Sequence, residues 1–146
     1  NLERMLETMS EAAGNMPIIA PLRTDAAQVV QLLDASKHRN LHIVQPLGYL
    51  EFSYLLLNAV GVITDSGNVA EEATFTNVPC ATLNSYTEHI ETVKQGTNIL
   101  VGEDAQKLRT AVSDMVSGKW KTATIPDRWD GRSAERIIQT LIDFVK

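Results

Sequence analysis

Residues 61–76 read Gly61-Val-Ile-Thr-Asp-Ser-Gly-Asn-Val-Ala-Glu-Glu-Ala-Thr-Phe-Thr76, and the fold is decided in this stretch. The apolar run from Val60 to Ile63 has the character of a buried parallel strand. Thr64, Asp65, Ser66, Gly67 and Asn68 follow, small residues that cap helices and tolerate unusual backbone angles. Val69, Ala70, Ala73 and Phe75 then resume at helical spacing. The segment is therefore strand, tight turn, helix. A helix starting there points its first unpaired N–H groups and the positive end of its dipole out of the turn. Ser66 adds a hydroxyl, and Gly67 removes the Cβ that would hold a ligand away. A phosphate fits such a turn, and Glu71 and Glu72, one helical turn further in, are placed to accept from a sugar diol. The same residues also read as an N-cap at Ser66 or Asn68 followed by glutamates that compensate the dipole. Local sequence leaves both readings open.

Outward from this junction, short apolar runs alternate with helical patterns. Leu2 to Ala13 predicts a helix stopped at Gly14-Asn15, and Pro17 to Ala20 a strand. A helix from about Ala26 to Ala35 and a strand over Leu41 to Val44 come next. Leu50 to Asn58 is apolar on nearly every side, which predicts a helix packed between neighbours. After the central junction, Cys80 to Leu83 is a strand, and Ser85 and Glu88 have capping-box spacing before a short helix over Ile90 to Lys94. Asn98 to Val101 is the last strand. Asp104 caps a helix running to about Val116, and Ser133 to Val145 is the last helix. No Asn-Gly or Asp-Gly hairpin interrupts the alternation, so the expected fold is α/β, a parallel sheet with helices on both faces. Ligands bind such sheets beyond the carboxyl ends of the strands, where the Thr64–Asn68 turn and the Asn84–Glu88 loop both fall.

Bulk properties narrow the classes. The chain of 146 residues supports one domain, residues 1–146, with an ordinary apolar content of 44%. A net charge of -5 argues against a nucleic-acid surface, and no apolar run approaches the roughly 20 residues of a membrane span. The single cysteine, Cys80, suits a reducing compartment and lies in an apolar run, as a buried structural thiol would. No Gly-x-Gly-x-x-Gly follows the first strand, so no dinucleotide cofactor is indicated, and no metal-ligand cluster stands out. The start at Asn1, directly into a helical face, suggests a fragment of a longer protein.

Several motifs then occur in one order: Pro46-Leu47-Gly48-Tyr49-Leu50-Glu51-Phe52, Thr64-Asp65-Ser66-Gly67 with Glu71-Glu72-Ala73, Thr87-Glu88 with Glu91, Gly96-Thr97 with Leu100-Val101-Gly102, and Asp130-Gly131-Arg132 with Glu135-Arg136-Ile137. Together they resemble the carboxy-terminal domain of the non-hydrolysing UDP-N-acetylglucosamine 2-epimerases over nearly the whole chain. The resemblance implies a Rossmann-like domain, one half of a two-domain enzyme of the glycosyltransferase-B arrangement, cytoplasmic and homodimeric as the full-length protein. It implies that this half holds UDP, while the acidic residues exchanging the proton at the sugar's C2 come mainly from the absent amino-terminal domain. By motif, Ser66, Gly67 and the amide of Asn68 would contact phosphates, Glu72 the ribose hydroxyls, and Phe52 the region of the uracil.

Departures from the family pattern are specific. Asn68 stands where the family has a second glycine, and His89 replaces the arginine of Thr-Glu-Arg-Pro-Glu, exchanging a fixed charge for a titratable one. No histidine follows the proline near Pro21, which leaves Arg23 as the cationic candidate there. These substitutions support an alternative, a glycosyltransferase-like or degenerate nucleotide-sugar binder without epimerase chemistry. Of the other residues, Trp120 and Trp129 read as loop anchors. Arg128, Arg132 and Arg136, four apart, read as a solvated stripe or a contact with the first domain.

Overall fold

The structure, a computed structural model, describes residues 2–22 and 38–145. The expected helix at 26–35 and the candidate Arg23 lie outside the described residues. In chain order the elements are α1 (Leu2–Ala13), β1 (Ile18–Pro21), β2 (Leu41–Val44), α2 (Tyr49–Asn58), β3 (Val62–Thr64), α3 (Gly67–Phe75), β4 (Cys80–Thr82), α4 (Ile90–Lys94), β5 (Asn98–Leu100), α5 (Ala105–Val116) and α6 (Ser133–Val145).

All pairing among the described strands is parallel, but the expected single sheet is laid out as two ladders. One pairs β1 with β2, Ile18 opposite Leu41. The other runs β3-β4-β5, with Val62 opposite Cys80 and Cys80 opposite Asn98. A shared helical layer unites them. Met5, Leu6, Met9 and Ala13 of α1 pack with Leu108, Ala111, Val112 and Met115 of α5, and Ile18, Leu41, Ile63, Ala81 and Ile99 from the five strands lie against that layer. Alternation along a strand sends neighbouring side chains to opposite faces. Cys80 accordingly leaves this core for a second one, where it joins Leu56 of α2, Ala70 and Ala73 of α3, and Val78. The helices therefore cover both faces. Alanines at positions 70 and 73 let α3 approach β3 and β4 closely, and burial pushes the Cys80 thiol up to about 12, fitting its reading as structural.

One helix differs from expectation, and another is left uncovered. α2 is not packed between neighbours: Leu56 is its buried residue, while Tyr49, Leu50, Tyr54 and Leu57 are exposed. α6 buries no residue at all, leaving Ile137, Ile138, Leu141 and Ile142 in the open. Periodicity reports which face of a helix is apolar, not whether a partner is present to cover it. Among the described residues, no helix is long and apolar enough to cross a membrane.

Candidate functional site

The turn after β3 is built from its own side chains. Thr64 Oγ1 accepts from the Ser66 amide at 3.0 Å, and Asn84 Nδ2 from the loop after β4 donates to the Asp65 carbonyl at 3.0 Å. Ser66 occupies the N-cap position of α3 in extended conformation, yet its hydroxyl makes no capping bond. Its carbonyl receives the Ala70 amide at 3.2 Å. Among the described residues, the amides of Gly67, Asn68 and Val69 find no acceptor. Three unpaired donors and a free hydroxyl at the positive end of a helix form an electrostatic cradle for an anion.

His89 closes one side of that cradle. A Cβ placed on Gly67 would fall on the Nε2–Cδ2 edge of the His89 imidazole, so glycine is required for this close approach. The other side of the ring is held by Glu71, whose Oε1 lies 2.7 Å from Nδ1. His89 reaches this place because its backbone is fixed from beneath. Its amide donates to Thr87 Oγ1 at 3.0 Å, and its carbonyl accepts from Thr92 Oγ1 at 2.7 Å. Thr92 Oγ1 receives Asn98 Nδ2 at 3.2 Å, and Asn98 Oδ1 in turn accepts from Thr82 Oγ1 at 2.7 Å, joining β4 to β5. Asn98 and Thr92 are fully buried, so each bond replaces one that water would otherwise make. Ser85 and Glu88 do not form the expected capping box, since α4 begins at Ile90 behind an uncapped His89.

On the far side of Glu71 a cleft of about 420 Å³ opens between α2 and α3. Tyr49 and Ser53 line it from α2, Glu71, Glu72 and Phe75 from α3, and Trp129 from the segment before α6. Spacings of four residues put each of these pairs on one helix face. Glu72, half-buried, is thus brought beside the turn and at the cleft wall. Phe52 is not among the cleft-lining residues; it packs against the second core. Tyr49, at 70% exposure, takes the open position instead. Trp120 is the anchor expected, its Nε1 donating to the Thr97 carbonyl at 2.7 Å, whereas Trp129 is a cleft wall. The sequence alone did not single out Ser53, Phe75 as a cleft residue, or the pairing of Glu71 with His89. For Ser53 and Phe75 the signal was the i, i+4 spacing from Tyr49 and Glu71; for the pair, 18 residues apart, no local spacing carries one. Among the described residues no group of His, Cys, Asp and Glu is arranged to hold a metal ion.

The parallel ladders with helices on both faces, and a turn of unpaired amides beyond a strand's carboxyl end, define a Rossmann-like α/β type of domain. Comparison with known proteins is more particular: residues 1–142 match the UDP-N-acetylglucosamine 2-epimerase family, and the chain belongs to it. It is 45% identical over 106 residues to the UDP-N-acetylglucosamine 2-epimerase of Methanocaldococcus jannaschii, a match covering 71% of this chain and 28% of that protein. The UDP-2,3-diacetamido-2,3-dideoxy-D-glucuronate 2-epimerase of Pseudomonas aeruginosa is 32% identical, over 96% of this chain and 39% of that one. The crystal structure of the M. jannaschii UDP-GlcNAc 2-epimerase in complex with UDP-GlcNAc and UDP superposes with a TM-score of 0.77 and 34% identity, covering 97% of this chain and 40% of the other. The fold is thus that of part of a glycosyltransferase-B-like enzyme, and the chain spans well under half the length of these relatives.

Proposed function

We propose that residues 1–146 are the UDP-binding, carboxy-terminal domain of a UDP-N-acetylglucosamine 2-epimerase, which interconverts UDP-GlcNAc and UDP-ManNAc by eliminating and re-adding UDP. The observation that carries this reading is the cradle itself: amides at Gly67, Asn68 and Val69 and a Ser66 hydroxyl without partners among the described residues, with Glu72 one turn further on. Pyrophosphate would sit on the amides and the ribose diol on Glu72. The nucleobase would lie along the α2 side, near Phe52 or over Tyr49. Retaining the pyrophosphate is part of the chemistry, because the leaving group gains negative charge as the C1–O bond breaks and must stay for re-addition. Preorganised N–H donors supply that stabilisation without rearranging. Proton exchange at C2 is assigned to an amino-terminal domain, and the uncovered apolar face of α6 supports a contact of this kind. Cytoplasmic location and a homodimer of the longer protein are parts of the same proposal, and the chain alone is not expected to turn over substrate.

Calorimetric titration with UDP tests the reading. Ser66→Ala or Glu72→Ala should weaken binding by about 1 kcal/mol or more, the scale of a lost charge-assisted hydrogen bond. Unchanged binding in both would remove the ligand from this turn. A second reading, a nucleotide-sugar binder without epimerase activity, is favoured by one observation: the position of the family's arginine is filled by His89. Turnover of UDP-GlcNAc to UDP-ManNAc by the longer protein separates the two.

A further inference from the structure

We propose that the His89–Glu71 pair makes pyrophosphate binding at the Thr64–Asn68 turn a proton-coupled event, with the imidazolium form of His89 as the form that admits the ligand. The inference rests on the nucleotide reading above and adds the condition under which the site is competent.

The argument starts from which ring nitrogen is free. A carboxylate only accepts hydrogen bonds, so the 2.7 Å contact with Glu71 Oε1 assigns the proton of the neutral ring to Nδ1. Nε2 then carries a lone pair, and it is the Nε2–Cδ2 edge that lies against Gly67, at the entrance to the three unpaired amides. A neutral His89 therefore presents an acceptor to an incoming phosphate oxygen, and the two repel. Protonation converts the same atom into a charged N–H donor without moving the ring, because Glu71 continues to hold Nδ1. Glu71 thus acts as a positioning residue, and His89 as a phosphate contact present in one protonation state.

The surrounding charges make that proton count. Glu71 of α3 touches His89; Glu72 and Asp65 lie on the same helix and its turn, and Glu88 and Glu91 flank His89 in sequence. Lys94 is at the opposite end of α4, and among the described residues Glu71 is the ion-pair partner of His89. A dianionic pyrophosphate approaching this carboxylate-rich rim gains from an added positive charge at Nε2. An imidazole is the side chain that acquires one between about pH 5 and 8.

Isothermal titration of this chain with UDP-N-acetylglucosamine, a pyrophosphate diester with no group titrating in the range, between pH 5.5 and 8.5 in buffers of different ionisation heat, tests the proposal. Wild-type affinity should rise as pH falls across this range, by up to about tenfold per unit, with uptake of up to one proton. His89→Arg should bind independently of pH and about tenfold tighter than wild type at pH 8, whereas His89→Gln should bind weakly and without pH dependence; amide spectra of both variants establish that they fold. PH-independent binding by wild type with no proton uptake would overturn the coupling and leave the nucleotide reading standing. Absence of binding by both wild type and His89→Arg at every pH would overturn both.

Discussion

Two histidines in this chain stand beside glutamates, and they differ in what is left over once their partners are counted. His38 is buried between α1 and the start of β2, with Nδ1 3.1 Å from Ser10 Oγ and Nε2 3.9 Å from Glu7. Ser10 Oγ donates to Asn40 Oδ1 at 2.5 Å, and Asn40 Nδ2 donates to the carbonyls of Ser10 and Gly14 at 2.9 Å and of Met16 at 3.3 Å. That cluster is closed: its members use one another, and its product is the seating of β2 against the end of α1. Among the described residues, His89 has one firm side-chain partner, keeps 31% of its side chain exposed, and lies against a turn whose amides are unpaired. Both arrangements are a histidine near a carboxylate. Spare hydrogen-bonding capacity facing solvent, rather than the pairing, separates a site from a strut.

Breaking the closed cluster should give the largest effect and leave the open one untouched. Asn40→Ala removes the acceptor of Ser10 Oγ and the donor to three carbonyls at the α1–β1 corner, and the expected loss is about 2–3 kcal/mol of folding stability in urea denaturation, two or three net hydrogen bonds with partial rescue by water. UDP affinity of the folded fraction should not change. A matching loss of affinity would mean that the two regions are coupled and the contrast is wrong.

Gly67→Ala inverts the pattern. The added methyl occupies the place of the His89 ring, but that ring is half-exposed and can swing outward, so the stability cost should stay below about 1 kcal/mol. Displacing His89 and narrowing the cradle should weaken UDP binding about tenfold, equivalent to about 1.4 kcal/mol. Calorimetry and denaturation on one preparation give both numbers. A variant that loses stability and keeps its affinity would make His89 a packing residue.

The contrast also explains what the sequence could disclose. Helices α1, α5 and the bounds of α6 were readable because each repeats an apolar face between stop signals, Gly14 and Gly118 at C-termini and Asp104 as a cap whose carboxylate receives the Gln106 and Lys107 amides. The strand–turn–helix at Thr64–Asn68 was equally local. What failed was long-range. That α2 lies uncovered, and that the strands form two ladders, depends on surfaces a local pattern does not contain. Phe52 packs against the second core while Tyr49, three residues earlier on the same helix, lines the cleft, a difference that packing and not spacing decides. His89 was chosen by motif. Its hold on Glu71, 18 residues away, and its contact with Gly67 follow from β4 pairing beside β3, which brings the two loops to the same end of the ladder.

A smaller effect concerns Trp129, the cleft wall furthest in sequence from the turn. The segment carrying it is clasped to α6 by Asp130, whose carboxylate receives both Arg136 guanidinium nitrogens and the Arg132 amide. The Arg136 hydrogen bond, and then the Arg132 amide, hold the Asp130 carboxyl down to about 2 from an ordinary 3.8. A depressed carboxylate contributes stability that is fully present above about pH 4 and is lost as pH falls through about 2. The clasp is wholly at the surface, where screening keeps such pairs weak, so global unfolding should not be governed by it. The expected signature is local: between pH 4 and 2 the Trp129 indole resonance moves with the Asp130 carboxyl, while that of Trp120, bonded to the Thr97 carbonyl, stays until the core unfolds. If Trp120 moved first, the wall would be set by the β5 side of the molecule rather than by the α6 clasp, and the open site would share its support with the closed core.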